Sequence, residues 1–378
     1  MNRGDRWLLV LPLLLTAIGL IMVFSASSML GIQRFHDPNH YLFQQAVRVV
    51  LGLVVMFGCT RVDLRRLEAV APWLLGISIP ALAIVAVAGH VSNGAARWIR
   101  MGSVTFQPTD LARLATVVFL AWWLKRRAPE ELGFRRGVLP PLGIAVCMAG
   151  LILAQPNLSS AALLGLTGFL MVFLAGARVV HLAAPVAAGA LAVLGALLTH
   201  PYQMERVRTF IGFLFGGDVN VQGAGYQLTQ SLIAIGSGGW FGRGLGQGLQ
   251  KNLYLPEPHT DFIFSVLAEE LGLGGVTVLL VLFALLLWRG LRATARARDE
   301  FAHLLAGGLT FQIGLYAVVN LAVATGLAPT TGLPLPFVSY GGSALLANMA
   351  AAGLLYRVSS VNDVRESLER SRWSREGA

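Results

Sequence analysis

Ten stretches of mostly apolar residues follow one another along the chain, and most are separated by short polar segments. They lie near Trp7–Ser28, Phe43–Thr60, Val70–Gly89, Asp110–Leu124, Val138–Ala154, Ser159–Ala177, Val180–His200, Phe262–Trp288, His303–Gly326 and Gly342–Tyr356. Each is long enough to cross the roughly 30 Å hydrocarbon layer as a helix, allowing some tilt. Because a span must satisfy its own backbone hydrogen bonds, we predict an all-α integral membrane protein with ten transmembrane helices.

The same pattern predicts the domain organisation. Residues 1–356 form a single predicted membrane domain, and residues 357–378 form a polar tail of mixed charge. The connections are short except for the segment 201–261, between predicted helices seven and eight. Loops of that length inside a compact assembly are usually functional, so this segment is a candidate for the site.

Basic residues are distributed unequally between the two sides. Of the 29 arginines and lysines, twenty lie on the side of the N-terminus, seven lie on the opposite side, and Arg48 and Arg113 lie within spans. Cytoplasmic segments of membrane proteins carry the excess of positive charge. We therefore expect a multi-pass membrane protein with both termini in the cytoplasm and the loop 201–261 outside.

Composition agrees with this class and excludes others. The chain is 55% hydrophobic and 13% charged, whereas soluble domains are about 25% charged. Its net charge of +10 comes from short clusters between apolar runs, which is typical of membrane topology rather than of nucleic-acid binding. The two cysteines, Cys59 and Cys147, lie inside apolar segments and are expected to be packing residues. There is no Walker A sequence and no Cys/His cluster with metal-ligand spacing.

The stretch Leu255–Leu271 carries the leading candidate residue. A polar loop with Asp261 runs directly into an apolar helix, which contains Glu269 and Glu270 within its first turns. An unpaired carboxylate at the mouth of a membrane segment is costly, and ionisable groups at membrane depth are usually functional. The alternative is a solvated loop followed by a helix whose acids neighbouring helices neutralise. We take Asp261 as the candidate catalytic acid or base.

Other stretches on the predicted outer side share this polar character. The segment 225–236 is amphipathic, with Gln227 on its polar side, and is expected to lie at the outer membrane interface. Asp110 and Arg113 stand three residues apart on one helix and are expected to form an ion pair. The segment 329–343 is rich in proline and glycine at membrane depth, where irregular backbone must be buried in protein or line a cavity. We expect a polar cavity open to the outer side.

Several of these motifs together resemble one family. Asn93-Gly94, Arg97-Trp98-Ile99-Arg100, Phe106-Gln107-Pro108, Leu255-Pro-Glu-Pro-His-Thr-Asp-Phe262 and Pro334-Leu-Pro-Phe-Val-Ser-Tyr-Gly-Gly-Ser343 occur in this order. They are similar to the motifs of SEDS proteins (shape, elongation, division and sporulation), the RodA/FtsW/SpoVE group, with wording closer to FtsW and SpoVE. The resemblance covers nearly the whole chain. It implies ten membrane helices and a peptidoglycan glycosyltransferase that polymerises lipid II at the outer face of the bacterial cytoplasmic membrane, for cell division or cell-shape wall synthesis.

The resemblance also assigns residues and partners. The family's essential acid corresponds to Asp261, and its Glu/Lys pair corresponds here to Asp110 and Arg113. The Asp110 and Arg113 pair is one departure from the family's residues. Asn157 is another, because the family usually has aspartate there, so the role of that acid is weakened or moved. A class B penicillin-binding protein is the implied partner, together with other division or elongation proteins.

The chemistry of glycosyl transfer to a hydroxyl agrees with these assignments. Partial desolvation raises the pKa of a carboxylate toward working pH, which suits Asp261 as the base. Cations are needed for the departing pyrophosphate. The candidate substrate-binding residues are Arg97, Arg100, Arg206, Arg208, Arg243, Lys251, Gln227 and Ser339. No cofactor site is evident, and a divalent cation, Mg²⁺ or Mn²⁺, stays open as an alternative.

Two other functions fit the same chain. A lipid II flippase could use the same cavity and acids, although it needs access from both faces and the unusual loops cluster on one. A non-catalytic scaffold of a cell-wall complex would leave Asp261 dispensable.

Overall fold

The computed structural model describes residues 4–88, 90–92, 95–101, 104–127, 133–199, 201–216, 225–252 and 254–376. These residues form twelve α-helices and a small antiparallel sheet. The helices are α1 (Trp7–Phe35), α2 (His40–Cys59), α3 (Leu64–Ala88), α4 (Pro108–Lys125), α5 (Leu139–Leu153), α6 (Leu158–Leu174), α7 (Val179–Thr199), α8 (Pro201–Phe215), α9 (Tyr226–Gly238), α10 (Ile263–Arg296), α11 (Glu300–Ala324) and α12 (Gly342–Glu376). A π-helical turn, Phe134–Val138, leads into α5.

Each predicted span overlaps one helix, namely α1–α7 and α10–α12. Eight of the spans in the described residues are long and apolar enough to cross a membrane. Of the other two, α6 is apolar but has only 17 residues, and α4 opens with the polar turn that contains Asp110 and Arg113. The multi-pass character is therefore evident, while the number ten and the orientation of the termini stay predictions.

The fold is overwhelmingly helical, as the sequence pattern predicts, and one small sheet departs from the all-α expectation. Strands β1 (His90–Ser92), β2 (Ala95–Met101) and β3 (Val104–Phe106) form a three-stranded antiparallel sheet between α3 and α4. Short extended runs that lie close together in sequence can pair locally, and they are too brief to register as a span. The predicted arginines 97 and 100 lie on β2.

The described part of the long connection between α7 and α10 is mainly helical. It contains α8 and α9, and α9 packs against α10 and α11. Ser231, on the predicted polar side of α9, is fully buried and bonded to Ser265 Oγ and to the carbonyl oxygen of Ala324, each at 2.6 Å. The face of α9 that carries Ser231 therefore packs on protein, where its hydroxyl finds partners, and the placement of this segment at the outer interface stays a prediction.

The core is formed by α11, α12 and the parts of α1, α4 and α10 that pack on them. By contrast, α2, α3 and α7 present rows of exposed apolar side chains, as lipid-facing helices do. The predicted polar tail from residue 357 continues α12 as far as Glu376. The polar loop before α10 and the segment 329–343 meet at one end of this central group of helices.

Candidate functional site

Asp261 is half-buried in the loop that leads into α10, and the backbone of this loop is tightly held. Three consecutive carbonyl oxygens accept hydrogen bonds: His259 from Tyr340 N at 2.9 Å, Thr260 from Ser339 Oγ at 2.5 Å, and Asp261 from Asn320 Nδ2 at 2.9 Å. Each donor belongs to α11 or to the segment 329–343. The position of the Asp261 backbone is therefore set by residues distant in sequence.

The segment 329–343 is itself braced against the same residues. Asn320 Nδ2 also donates to the carbonyl oxygen of Leu333 at 2.7 Å, and Leu335 N donates to Ser339 Oγ at 2.8 Å. Gly332 has a φ of +72°, and a Cβ built there would lie 3.5 Å from Asp261 Oδ2. The carboxylate thus lies against a glycine. The Ser339 hydroxyl donates to one backbone group and accepts from another, so it holds the loop in place rather than facing an open substrate site. We call the contacts of Asn320 and of the segment 329–343 with residues 259–261 the brace.

His259, two residues before Asp261, is buried between aromatic rings. Its ring centroid lies 5.0 Å from that of Tyr41 and 5.2 Å from that of Tyr340. Burial, followed by the charges of Arg34 and Arg48, lowers the pKa of His259 to about 4. The imidazole is therefore neutral at pH 7 and anchors the loop by packing.

Asp110 and Arg113 form the predicted ion pair, with Oδ1 and Nη2 2.6 Å apart. Ser343 Oγ donates to Asp110 Oδ2 at 2.7 Å, and the Arg113 guanidinium lies 3.9 Å from the ring centre of Tyr316. All of these groups are buried. The pair therefore ties α4 to α11 and α12, next to the brace around Asp261.

Asn157, at the position of the family's acid, caps α6. Its side chain accepts a hydrogen bond from Ser160 N at 3.2 Å. The preceding Gln155 bridges α4 and α3, accepting from Thr109 Oγ1 at 3.3 Å and donating to the carbonyl oxygen of Leu82 at 3.0 Å. Asparagine and aspartate cap helices about equally well, so the local structure does not need the acid.

Glu269 and Glu270 are themselves fully buried and lie at the centre of a second polar network. Glu270 binds Lys251 Nζ at 2.7 Å, Ser25 Oγ at 2.7 and 2.8 Å, and Gly246 N at 3.0 Å. Lys251 Nζ also donates to Ser25 Oγ at 2.8 Å. Glu269 accepts hydrogen bonds from Leu249 N at 2.8 Å and Gln250 N at 3.2 Å, and lies 4.0 Å from Arg243 Nε. We call this set of groups the carboxylate network.

The carboxylate network closes around a break in α10. Gly272 has φ 63° and ψ −163°, a conformation that only glycine adopts readily, and it lies against Gly242. The freed amides of residues 273 and 274 donate to the carbonyl oxygens of Gly239 and Trp240, at 2.9 and 3.2 Å. The glycine-rich segment 236–246, before Lys251, thus packs as a strap across the broken helix.

The remaining predicted substrate-binding residues lie in different parts of the protein. The structure does not support Lys251 as a pyrophosphate ligand, because its ammonium is buried and neutralised by Glu270, and Arg243 lies beside Glu269. Arg206 and Arg208 lie on α8, the former half-buried and the latter exposed, and Gln227 is half-buried on α9. The side chains of Arg97 and Arg100 lie outside the described residues.

A cavity of about 220 Å³ adjoins the brace. Its walls are α6, α7, α8, α11 and residues 329–333, and it is mostly apolar, with Ser159, Gln203, Arg206, Thr330 and Thr331 as polar members. Arg206 Nη1 donates to the carbonyl oxygen of Thr330 at 2.8 Å. Thr331 and Leu333, on this wall, flank the glycine that contacts Asp261. Among the described residues there is no group of three acidic, histidine or cysteine side chains that could hold a metal.

The fold and this arrangement define a polytopic membrane protein with an acidic loop clamped beside an apolar cavity. The chain belongs to the FtsW/RodA/SpoVE family of cell cycle proteins, which matches residues 5–363. It is thus a member of the SEDS group, whose relatives are named for peptidoglycan synthesis, cell division and sporulation.

Individual relatives cover nearly the whole chain. It is 39% identical over 357 residues to stage V sporulation protein E of Bacillus subtilis, which is 94% of this chain and 96% of that protein. It is 42% identical over 364 residues to a "probable peptidoglycan glycosyltransferase FtsW" of Alkalilimnicola ehrlichii, covering 94% and 89% of the two proteins.

Solved structures agree with this membership. The rod shape determining protein RodA of Thermus thermophilus is similar with a TM-score of 0.69 and 31% identity, covering 94% of this chain and 96% of that one. A chain from a peptidoglycan synthase complex, in which polymerization and crosslinking are coordinated, is similar with a TM-score of 0.77 and 32% identity. That match covers 95% of this chain and 98% of the other.

Proposed function

We propose that this protein is a peptidoglycan glycosyltransferase that polymerises lipid II at the outer face of the bacterial cytoplasmic membrane. The observation that carries the proposal is the clamp on Asp261. Three consecutive carbonyls are held in place, while Asp261 itself is only partly buried and lies against Gly332, whose neighbours Thr331 and Leu333 line an apolar cavity. Rigid backbone with an accessible acid is what a positioned general base requires.

In the proposed reaction the Asp261 carboxylate removes the proton from the 4-hydroxyl of the incoming disaccharide. The hydroxyl oxygen then forms a bond to the anomeric carbon of the growing chain, and the bond from that carbon to undecaprenyl pyrophosphate breaks. The proton on Asp261 returns to solvent. A positioned base of this kind contributes typically 10²–10⁴ in rate.

The apolar lining of the cavity is an argument for a lipid-linked substrate. Its walls suit a polyprenyl chain, and Arg206 lies at its polar margin, where a guanidinium can bind phosphate bidentately. Arg208, Arg97 and Arg100 are further candidates for the pyrophosphate. A divalent cation could share that charge and would then be held mainly by the substrate, as magnesium commonly is at phosphate sites.

A transpeptidase is the proposed partner, because polymerised strands need crosslinking. The similarity to a chain of a synthase complex that coordinates both activities supports a class B penicillin-binding protein in this role. Other division or elongation proteins would join the same assembly.

The test is polymerisation of labelled lipid II by the purified protein with its partner, read as glycan ladders on a gel. We expect Asp261→Asn to reduce the rate by about 10²–10⁴. Glu257→Gln, which changes a carboxylate of the same loop, is the matched control and should keep most of the activity. Ladders from Asp261→Asn at the wild-type rate would remove the assigned base. No ladders from wild type, with lipid II crossing vesicle membranes, would identify a flippase instead.

A further inference from the structure

Arg48 is a cation at membrane depth whose charge no protein group balances within the described chain. It lies two turns inside α2 from the end that is predicted to be outer. Among the described residues it forms no ion pair, whereas Arg113 is paired with Asp110 at 2.6 Å and Lys251 with Glu270 at 2.7 Å. An ionisable residue in a membrane span is expected to have a partner.

The contacts that Arg48 does make hold it in position without neutralising it. Its guanidinium lies 4.4 Å from the ring centre of Tyr340, and Nη2 is 3.4 Å from Gln44 Oε1. Gln44 is fixed in turn by the Tyr340 hydroxyl at 2.6 Å and by His40 Nε2 at 2.8 Å. The Nη1 atom is buried and has no hydrogen-bond partner within the described chain.

The surroundings of Arg48 add positive rather than negative potential. Its guanidinium packs against Gly342, where α12 begins, and a helix N-terminus carries a partial positive charge. No acid lies in the first turn of α12, although the Ser343 hydroxyl there binds Asp110, which Arg113 already neutralises. Arg34 ends α1 nearby, and with Arg48 it helps to keep His259 neutral. The missing component is an anion.

We propose that Arg48, supported by Arg34, binds the phosphate group of a lipid in the outer leaflet. A phosphate offers the several acceptor oxygens that an arginine with a free N–H requires. Two lipids have this chemistry, a polyprenyl pyrophosphate and an anionic phospholipid. Tyr340 contacts Arg48 with its ring and binds the His259 carbonyl with its amide, so a phosphate here would lie next to the Asp261 loop.

The test measures lipid binding to the full-length protein in detergent by native mass spectrometry. The probes are undecaprenyl pyrophosphate, undecaprenol as its phosphate-free counterpart, and phosphatidylglycerol. We expect Arg48→Met to weaken undecaprenyl pyrophosphate by roughly tenfold or more, to leave undecaprenol unchanged, and Arg48→Lys to restore most of the difference. Arg61→Met, at the other end of the same helix, is the matched control. A loss confined to phosphatidylglycerol would support the same site with a phospholipid as its source.

Unchanged binding of all three lipids by a folded Arg48→Met variant would overturn the proposal and leave Arg48 a packing residue. If that variant does not fold, wild type and Arg48→Lys decide. Undecaprenyl pyrophosphate should then raise the melting temperature of wild type more than undecaprenol does, and Arg48→Lys should reduce that excess. Equal shifts from the two lipids in wild type would count against the site. Binding needs no turnover, so Asp261→Asn should bind like wild type, which separates this result from the proposed catalytic role.

Discussion

Two polar regions, one at each end of the segment 251–261, differ in how completely their ionisable side chains are partnered. In the carboxylate network, backbone amides donate to both buried acids, and Lys251 and the Ser25 hydroxyl also bind Glu270. In the region around Asp261, three consecutive carbonyl oxygens are bonded, but Arg48 Nη1 and His259 Nδ1 are buried without partners within the described chain. Buried polar groups are normally satisfied, and exceptions call for an explanation.

The difference teaches which chemistry belongs to the fold and which to a ligand. Two acids inside an apolar helix attract attention in the sequence, yet the structure shows them serving as the anchor of a strap over a broken helix. Asp261, at the mouth of the helix, has its backbone held and is itself only partly buried. Changes to the carboxylate network should therefore act on stability, and the change of Asp261 itself should act on function.

The largest effect on stability is expected from breaking the carboxylate network. Lys251→Met leaves Glu270 buried without its cation, and we expect the free energy of unfolding to fall by about 3–5 kcal/mol. The double variant Lys251→Met/Glu270→Gln should recover much of this loss, because no net charge remains. Chemical or thermal denaturation in detergent measures both.

Lys125→Met is the matched control for that prediction, since Lys125 pairs with Glu68 at 2.9 Å but is partly exposed. Its loss should cost less than about 1 kcal/mol. A similar loss for both lysines would contradict the distinction between a buried anchor and an ordinary surface pair.

Acid should weaken the anchor of the Asp261 loop through His259. The pKa of His259 is about 4 in the folded protein and about 6.5 unfolded. Between these values the unfolded chain binds a proton that the folded protein does not. Stability is therefore full above pH 6.5 and declines as the pH falls toward 4, by about 3 kcal/mol. Melting curves across this range should show the decline in wild type and a shallower one in His259→Phe.

A histidine on α7, His181, supplies the comparison, because it lies away from this loop. His181→Gln should keep the wild-type slope of stability against pH. Equal slopes in wild type and His259→Phe would show that this imidazole is not the titrating group.

The smallest effect on stability is expected from Ser339→Ala. It removes the donor to the Thr260 carbonyl and the acceptor of Leu335 N, at a cost of about 1 kcal/mol. Because the backbone next to Asp261 loosens, kcat for glycan polymerisation should fall while KM changes little. Ser237→Ala, whose hydroxyl bonds within its own helix α9, should leave kcat unchanged. A raised KM with unchanged kcat in Ser339→Ala would indicate substrate contact instead of positioning.

The sequence by itself determined the membrane class, the ten apolar segments, the family and the Asp110–Arg113 pair. These depend on local hydropathy, on motif order and on residues three apart in one helix, all of which can be read along the chain. It also marked the Asp261 loop, because an acid at the mouth of an apolar run is unusual wherever it occurs. Asn157 as a helix cap was within reach of the same reasoning, since capping is local.

Only the tertiary structure decided which cations are neutralised and which are not. Lys251 meets Ser25 and Glu270, Ser339 meets Thr260, and Asn320 meets Asp261, across separations of 19 to 226 residues. Such pairings depend on which helices pack together and at what height, and no periodicity along the chain encodes that choice. The same holds for the break at Gly272, which is stable because the strap from Gly239 to Trp240 supplies its lost hydrogen bonds. The sequence shows which side chains carry charge, whereas helix packing determines which of those charges are neutralised.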